Sequence, residues 1–263
     1  MTRGLPDAAT LEGARLALAV DGAVATITLS CPERRNSQTP RMWHALAEIG
    51  AGLPDDVRIV VVKGAGASFS AGLDIGLLTG QGLPDEEAVS DLMHQPDQEV
   101  LDAIDGYQRG FTWLRDPRFV SIAQVHGHAI GAGFQLALAC DLRVVADDVR
   151  FCMKEPALGL VPDLTGTKPL VEVVGYARAL EICATARDVL ADEAREIGLA
   201  TAVVPASDLE ATTADLTGAI LANAAGAVRE TKALLQTAAG AELDEQRLRE
   251  REAQLRRFRD LVA

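Results

Sequence analysis

The chain has 263 residues but little positive charge, with 25 Lys and Arg against 38 Asp and Glu, a formal net charge of −13. That balance argues against a nucleic-acid binder, because phosphate affinity needs clustered Lys and Arg. It has only four cysteines, Cys31, Cys140, Cys152 and Cys183, with no CxxC pair and no zinc spacing, so free thiols are expected. No apolar run approaches the roughly 18 residues of a membrane span, and the first residues lack the apolar core of a signal peptide. Neither long repeats nor low-complexity segments are visible. A soluble, cytoplasmic protein with no nucleic-acid or membrane partner is expected.

What is there points to a packed α/β domain. Apolar residues make up 48% of the chain and charged ones 24%, which excludes a disordered chain. Leu16–Val20 and the alternating Val24–Leu29 flank Asp21-Gly22, a hairpin signal. Arg58–Lys63 is a continuous β-branched run, as in a strand covered on both faces. Further strands are expected at 121–125, 142–146, 150–153 and 201–204. Helices are expected at 40–53, 134–140, 165–174, 178–184 and 192–197. Val100, Ile104, Tyr107, Phe111 and Leu114 mark another, amphipathic one. Residues 64–98 read as a long loop with one helical turn, and such loops are usually functional. From residue 207 onward the pattern is helical throughout. Strand–helix alternation followed by helices alone predicts an α/β core over 1–205 and a helical region over 206–263. The basic run at 246–260 reads as a solvated face with pairs such as Glu245–Arg249, or as arginines that meet an anionic ligand or a second subunit.

Three glycine-rich segments stand out: KGAGASFSAGLDI (63–75), HGHAIGAGFQLALACD (126–141) and KEPALGLVPDLTGT (154–167). Small residues at a helix start let a ligand approach backbone N–H groups, where the helix dipole favours negative charge. A nucleotide fingerprint is missing: there is no GxxxxGK[ST], and no GxGxxG after a strand with an acid beyond it. His126 and His128 share one side of an extended segment, but no third metal ligand accompanies them.

Taken with PERRN (32–36) and ADEAREIGLATAVVP (191–205), these segments resemble the crotonase, or enoyl-CoA hydratase/isomerase, superfamily in order and spacing over nearly the whole chain. The resemblance implies a crotonase-like spiral of ββα turns with a helical C-terminal region that packs homotrimers, often paired into hexamers. It implies an acyl-CoA thioester as substrate, with no cofactor beyond its CoA moiety. The oxyanion-hole N–H groups would be those of Leu73 and Ala132, the latter where the family often has glycine. Ala71, Gly72, Leu73, Asp74 and Ile75 would lie along CoA, and Arg34 and Arg35 could meet its phosphates. Asp74 also reads as a structural cap beside that loop.

Of the two glutamates that hydratases of the family usually use, one corresponds to Glu155 and the other to Gln135. A glutamine can position water but exchanges no proton at neutral pH. A second acid, Asp163, lies eight residues after Glu155, a pattern resembling the dienoyl-CoA isomerase-like members. Asp163 could instead cap the following helix, and Glu155 could be an ordinary ion-pair residue. Double-bond isomerisation by Glu155 and Asp163 is the leading expectation, ahead of hydration of a 2-enoyl-CoA and of non-catalytic acyl-CoA binding. Asp163 as a nucleophile, as in the superfamily's aryl-CoA dehalogenases, is disfavoured because Thr112 stands where those have a histidine base. Acyl specificity is expected in the 76–100 loop and the helix after it.

Overall fold

Ala25, Ile27 and Leu29 are fully buried while their alternate neighbours are not, the period-two signature of a half-covered strand. The computed structural model describes residues 4–79, 83, 86 and 88–262. After a short helix α1 (Ala8–Gly13), the chain forms the antiparallel pair β1 (Leu16–Asp21) and β2 (Val24–Leu29), with Leu16 opposite Leu29 and Asp21 opposite Val24. The turn is therefore Gly22-Ala23, one residue later than the sequence suggested. Gly22 takes the φ of +52° that a two-residue hairpin demands.

Helix α2 (Pro40–Gly52) starts at Thr39, whose Oγ1 accepts from Met42 N at 3.3 Å. Strand β3 (Ile59–Gly64) then pairs in parallel with β2. The main sheet continues through β4 (Val120–Val125), β6 (Leu142–Ala146) and β9 (Ala202–Val204), in the order β1-β2-β3-β4-β6-β9. Both faces of its central strands are covered. Val60, Val62, Val125 and Val145 point into the main core. Ile59, Val61, Ile122 and Val144 point the other way, against Leu209, Leu216 and Ile220 of α8 (Leu209–Leu221). That is why β3 reads as an unbroken apolar run.

A second sheet joins three short strands, β5 (His128–Ile130), β7 (Arg150–Cys152) and β8 (Val189–Leu190). Each turn of the spiral places a long strand in the first sheet and a short one in the second, then a helix. Thus β4 and β5 lead into α4 (Ala132–Ala139), and β6 and β7 into α5 (Thr167–Val174) and α6 (Tyr176–Thr185). Helix α7 (Ala191–Glu196) follows β8. The first turn has only a bridge, Ser70 with Ala129, in place of its short strand.

Helix α3 (Asp97–Thr112) lies across α2, with the Trp43 and Tyr107 ring centroids 5.0 Å apart. It carries the expected amphipathic stripe. Of the long loop before it, residues 80–82, 84, 85 and 87 fall outside the described part. The remainder holds two 3-10 turns, Ile75–Leu77 and Val89–His94, rather than one helical turn.

The chain ends in α9 (Ala225–Ala238) and α10 (Leu243–Asp260). Lys232 of α9 is buried, and its Nζ donates to Asp116 O, Phe119 O and Asp141 Oδ2, each at 2.7 Å. Helix α10 pairs Arg249 with Glu245 at 2.7 Å, as its spacing suggested, and leaves Leu248, Leu255 and Phe258 exposed. Among the described residues no helix is long and apolar enough to cross a membrane. All four cysteines are unpaired thiols.

Candidate active site

Ser70 ties together the backbone on which the site is built. Its N–H donates to His128 O at 2.8 Å, and its carbonyl accepts from Ile130 N at 3.0 Å. Its Oγ donates to Asn36 O at 2.8 Å and accepts from Gly72 N and Gln38 Nε2. Residues 71–75 leave this knot and bridge to Gln38. Gln38 N donates to Gly72 O at 2.8 Å, and Asp74 N donates to Gln38 O at 2.9 Å. In a parallel bridge of that kind the residue between, Leu73, directs its own N–H away from the partner. Leu73 N finds no acceptor among the described residues.

The second segment is the start of α4. Gly131 (φ +52°, ψ −119°) precedes it, and Ala132 is its first residue. Sequence reading placed this helix two residues later, because glycines on either side of Ala132 obscure its start. The Ala132 N–H is one of the first-turn donors that an α-helix leaves unpaired, and the helix dipole makes it more positive. A β-carbon on Gly72 would lie 3.4 Å from Ala132 N, so the two segments are adjacent.

Glu155 opens a 3-10 turn, Glu155–Leu158, after β7. Its carboxyl lies against the α4 start, where a β-carbon on Gly131 would be 3.2 Å from Oε1. The residue is 9% exposed and forms no ion pair among the described residues. Gln135 Nε2 donates to Oε1 at 2.7 Å. The other oxygen, Oε2, is buried without a partner. Burial pushes the carboxyl above the usual carboxylate range and the charge of Asp163 adds to this, while its own backbone N–H and the Gln135 amide oppose the rise.

Asp163 is half-buried, and burial raises it too, against its own backbone N–H. It does not cap a helix: the residue before α5 is Gly166, with no side-chain cap bond. Gln108 of α3 donates from Nε2 to Asp163 O at 2.7 Å. Gln135 Oε1 accepts from Leu164 N at 2.9 Å and Gly166 N at 3.2 Å. Leu158, Leu160 and Val161, between the two acids, are exposed apolar residues.

The structure also gathers the residues expected along CoA. Ala71 N donates to Arg35 O at 2.8 Å, which sets the exposed Arg34-Arg35 pair beside residues 71–75. Ile75 is exposed. Asp74 is buried and accepts from Arg34, Ser37 Oγ and Gly76 N, so its carboxylate anchors Arg34 and caps the turn that follows. His126 Nε2 contacts Gly66 O and His128 Nδ1 contacts Ser68 Oγ. Sequence reading missed Gln108, Gln38 and Ser70. Nothing in their local sequence announces contacts that arise only when distant segments meet.

The chain is thus a spiral of ββα turns in which the buried Glu155 carboxyl lies against the start of α4, with the half-buried Asp163 near enough for its charge to act on it. The sequence profile described as Enoyl-CoA hydratase/isomerase matches residues 19–261, and the chain belongs to that family, the crotonase superfamily. The mitochondrial Delta(3,5)-Delta(2,4)-dienoyl-CoA isomerase of Rattus norvegicus is 33% identical over 193 residues, 70% of this chain but 56% of that longer protein. A protein of Mycobacterium bovis assigned as an enoyl-CoA hydratase is 30% identical over 237 residues, covering 88% of this chain and 84% of its own. A Thermobifida fusca YX protein assigned as an enoyl-CoA hydratase, solved in complex with CoA, shares 50% identity with a TM-score of 0.93, covering 98% of each chain. It was also solved with acetoacetyl-CoA.

Proposed function

We propose that the protein isomerises double bonds in enoyl-CoA or dienoyl-CoA thioesters. The observation that carries this reading is the pair of acids, buried Glu155 and half-buried Asp163, with Glu155 against the start of α4. The Leu73 and Ala132 N–H groups hold the thioester oxygen. One ionised carboxylate removes a proton from C2, and the electron pair moves onto that oxygen as an enolate. The other carboxyl, protonated, delivers a proton to C4 of a 3-enoyl chain or C6 of a 3,5-dienoyl chain as the enolate collapses. Two preorganised donors stabilise the developing charge, and losing one such donor typically costs on the order of 10²–10³ in rate. The complexes of the Thermobifida protein with CoA and acetoacetyl-CoA support a CoA thioester as substrate, with Arg34, Arg35 and residues 71–75 beside the CoA moiety. The exposed apolar side chains at 158, 160 and 161 suit an acyl chain.

Hydration of a 2-enoyl-CoA is the second reading, favoured by the assignment of that 50% identical neighbour. It asks Glu155 to activate water almost alone, since both lone-pair directions of the Gln135 carbonyl are taken by Leu164 and Gly166 N–H. We further propose a homotrimer or hexamer in the cytoplasm, with the apolar residues of α10 buried between subunits, which native mass measurement would test.

The test incubates the enzyme in D₂O with a saturated thioester, a 2-enoyl-CoA, a 3-enoyl-CoA and a 3,5-dienoyl-CoA, following mass and absorbance. Double-bond migration supports the isomerase. Gain of one water would replace it with the hydratase, and tight binding without conversion would replace it with an acyl-CoA carrier.

A further inference from the structure

Gln135 is the one polar side chain on α4, a helix buried along its whole length. A buried amide left without partners costs about 1–3 kcal/mol, so its bonds reveal its task. Two backbone donors, Leu164 N and Gly166 N, point at one end of the amide. Only the oxygen can accept them, which fixes how the amide is turned. The NH₂ must then face Glu155, where it donates to Oε1 at 2.7 Å. Glu155 Oε2 has no such donor and is buried without a partner. One carboxyl group is thereby given two unlike oxygens, an engaged acceptor and a free one.

The same amide holds the second acid. By binding Leu164 N it fixes the peptide that follows Asp163, while Gln108 holds the Asp163 carbonyl from α3 at 2.7 Å. We propose that Gln135 is a positioning residue that turns Glu155 so that Oε2 alone exchanges the reaction proton, and that it holds Asp163 in fixed relation to it. This rests on the reading of Glu155 as a proton carrier. Gln135 touches neither substrate nor proton; it acts through Glu155.

Three other ionisable groups bear on Glu155. Asp163 raises it. The thiols of Cys152 on β7 and Cys183 on α6 are pushed up, by burial first, and so are protonated at neutral pH. Lys154, next in sequence, is exposed. The donor from Gln135 favours the ionised form of Glu155, and its removal moves the titration upward.

The test compares Gln135→Met and Gln135→Glu with the wild type on a thioester it converts, reading kcat, KM and the pH profile of kcat. In Gln135→Met, kcat should fall about 10- to 100-fold, as small misplacements of reacting groups do, with KM within about threefold and the limb governed by Glu155 moved to higher pH. Gln135→Glu keeps an acceptor for Leu164 and Gly166 and covers the case in which the methionine variant does not fold. It sets a second acid beside Oε1, so it too should lose kcat and raise the limb governed by Glu155 instead of improving the enzyme. Wild-type kcat and limb in a folded variant overturn the proposal. A lower kcat with an unmoved limb also overturns it, as that marks a packing role alone. Glu155→Gln, run alongside, separates the two readings. Full turnover there removes the proton-carrier reading itself, whereas its loss beside an unaltered Gln135→Met removes only the positioning role.

Discussion

Gly72 packs so closely on Ile130 that a β-carbon at residue 72 would overlap the Ile130 carbonyl oxygen. Gly72 also sits at φ +84°, where other residues are strained by roughly 1–2 kcal/mol. Gly72→Ala should therefore part the two backbone segments that carry Leu73 and Ala132 N–H. Turnover should drop by on the order of 10²-fold or more, with a lower Tm. Gly131→Ala is strained too, at φ +52° and ψ −119°, but its nearest contact is the Glu155 carboxyl at 3.2 Å and not backbone, so it should lower Tm by less. Thermal melts and kcat on the two variants check the order.

Glu155→Gln and Asp163→Asn should each lower kcat by roughly 10²–10⁴, the range for a general acid or base. CoA affinity, read by calorimetry, should hardly change. Wild-type turnover in both would sink the isomerase mechanism. The limb of the pH–rate profile that Glu155 governs should lie above the ordinary glutamate value, because burial, aided by the charge of Asp163, raises Glu155.

The same raised carboxyl bears on stability. Its folded-state pKa lies above the unfolded value, so its stabilising contribution is complete below the unfolded pKa, about 4.3, and is lost as pH rises through the folded pKa. Glu155→Gln carries no charge and escapes that loss. It should melt above wild type at pH 8, by roughly 2–4 °C if the difference is about 1 kcal/mol, and the gap should close towards pH 4. A gap that stays constant across that range would contradict the assignment of burial as the cause.

Lys232→Met removes the cation that pairs with Asp141 Oδ2, leaving that oxygen only the Ser121 N–H and hydroxyl, and takes the donor from the carbonyls of Asp116 and Phe119. Breaking such a buried pair from one side costs about 3–5 kcal/mol, so Tm should fall by roughly 10 °C. Adding Asp141→Asn should recover part of it, because the unpaired charge is then gone. Differential scanning calorimetry on the single and double variants checks both.

Much of the fold was legible because its signals are local. The alternation in Val24–Leu29, the apolar run in Ile59–Val62 and the stripe from Val100 to Leu114 each state their own environment. Strand β5 was missed because three residues between glycines make too short a pattern, and its pairing with β7 comes from 22 positions further along the chain (His128 with Arg150). At the site, the family motifs pointed to Glu155, Asp163, Leu73 and Ala132. They could not show how Gln135 is used, because its three partners lie 20 to 31 residues away. A glutamine in place of an acid reads as a loss until those partners are seen.

Both donors assigned to the thioester oxygen are main-chain N–H groups, and that makes the side chains at positions 73 and 132 chemically idle. Those side chains can change only as packing allows, since Ala132 is buried and Leu73 is partly buried against the core, but no reacting atom depends on which they are. What must not drift are their neighbours, Ser70, Gly72 and Gly131, which shape the backbone and never meet the substrate's carbonyl. A substitution scan scored by activity should thus find Gly72 and Gly131, which carry no reacting group, among the least tolerant positions, while changes of similar size at 73 and 132 leave the chemistry in place.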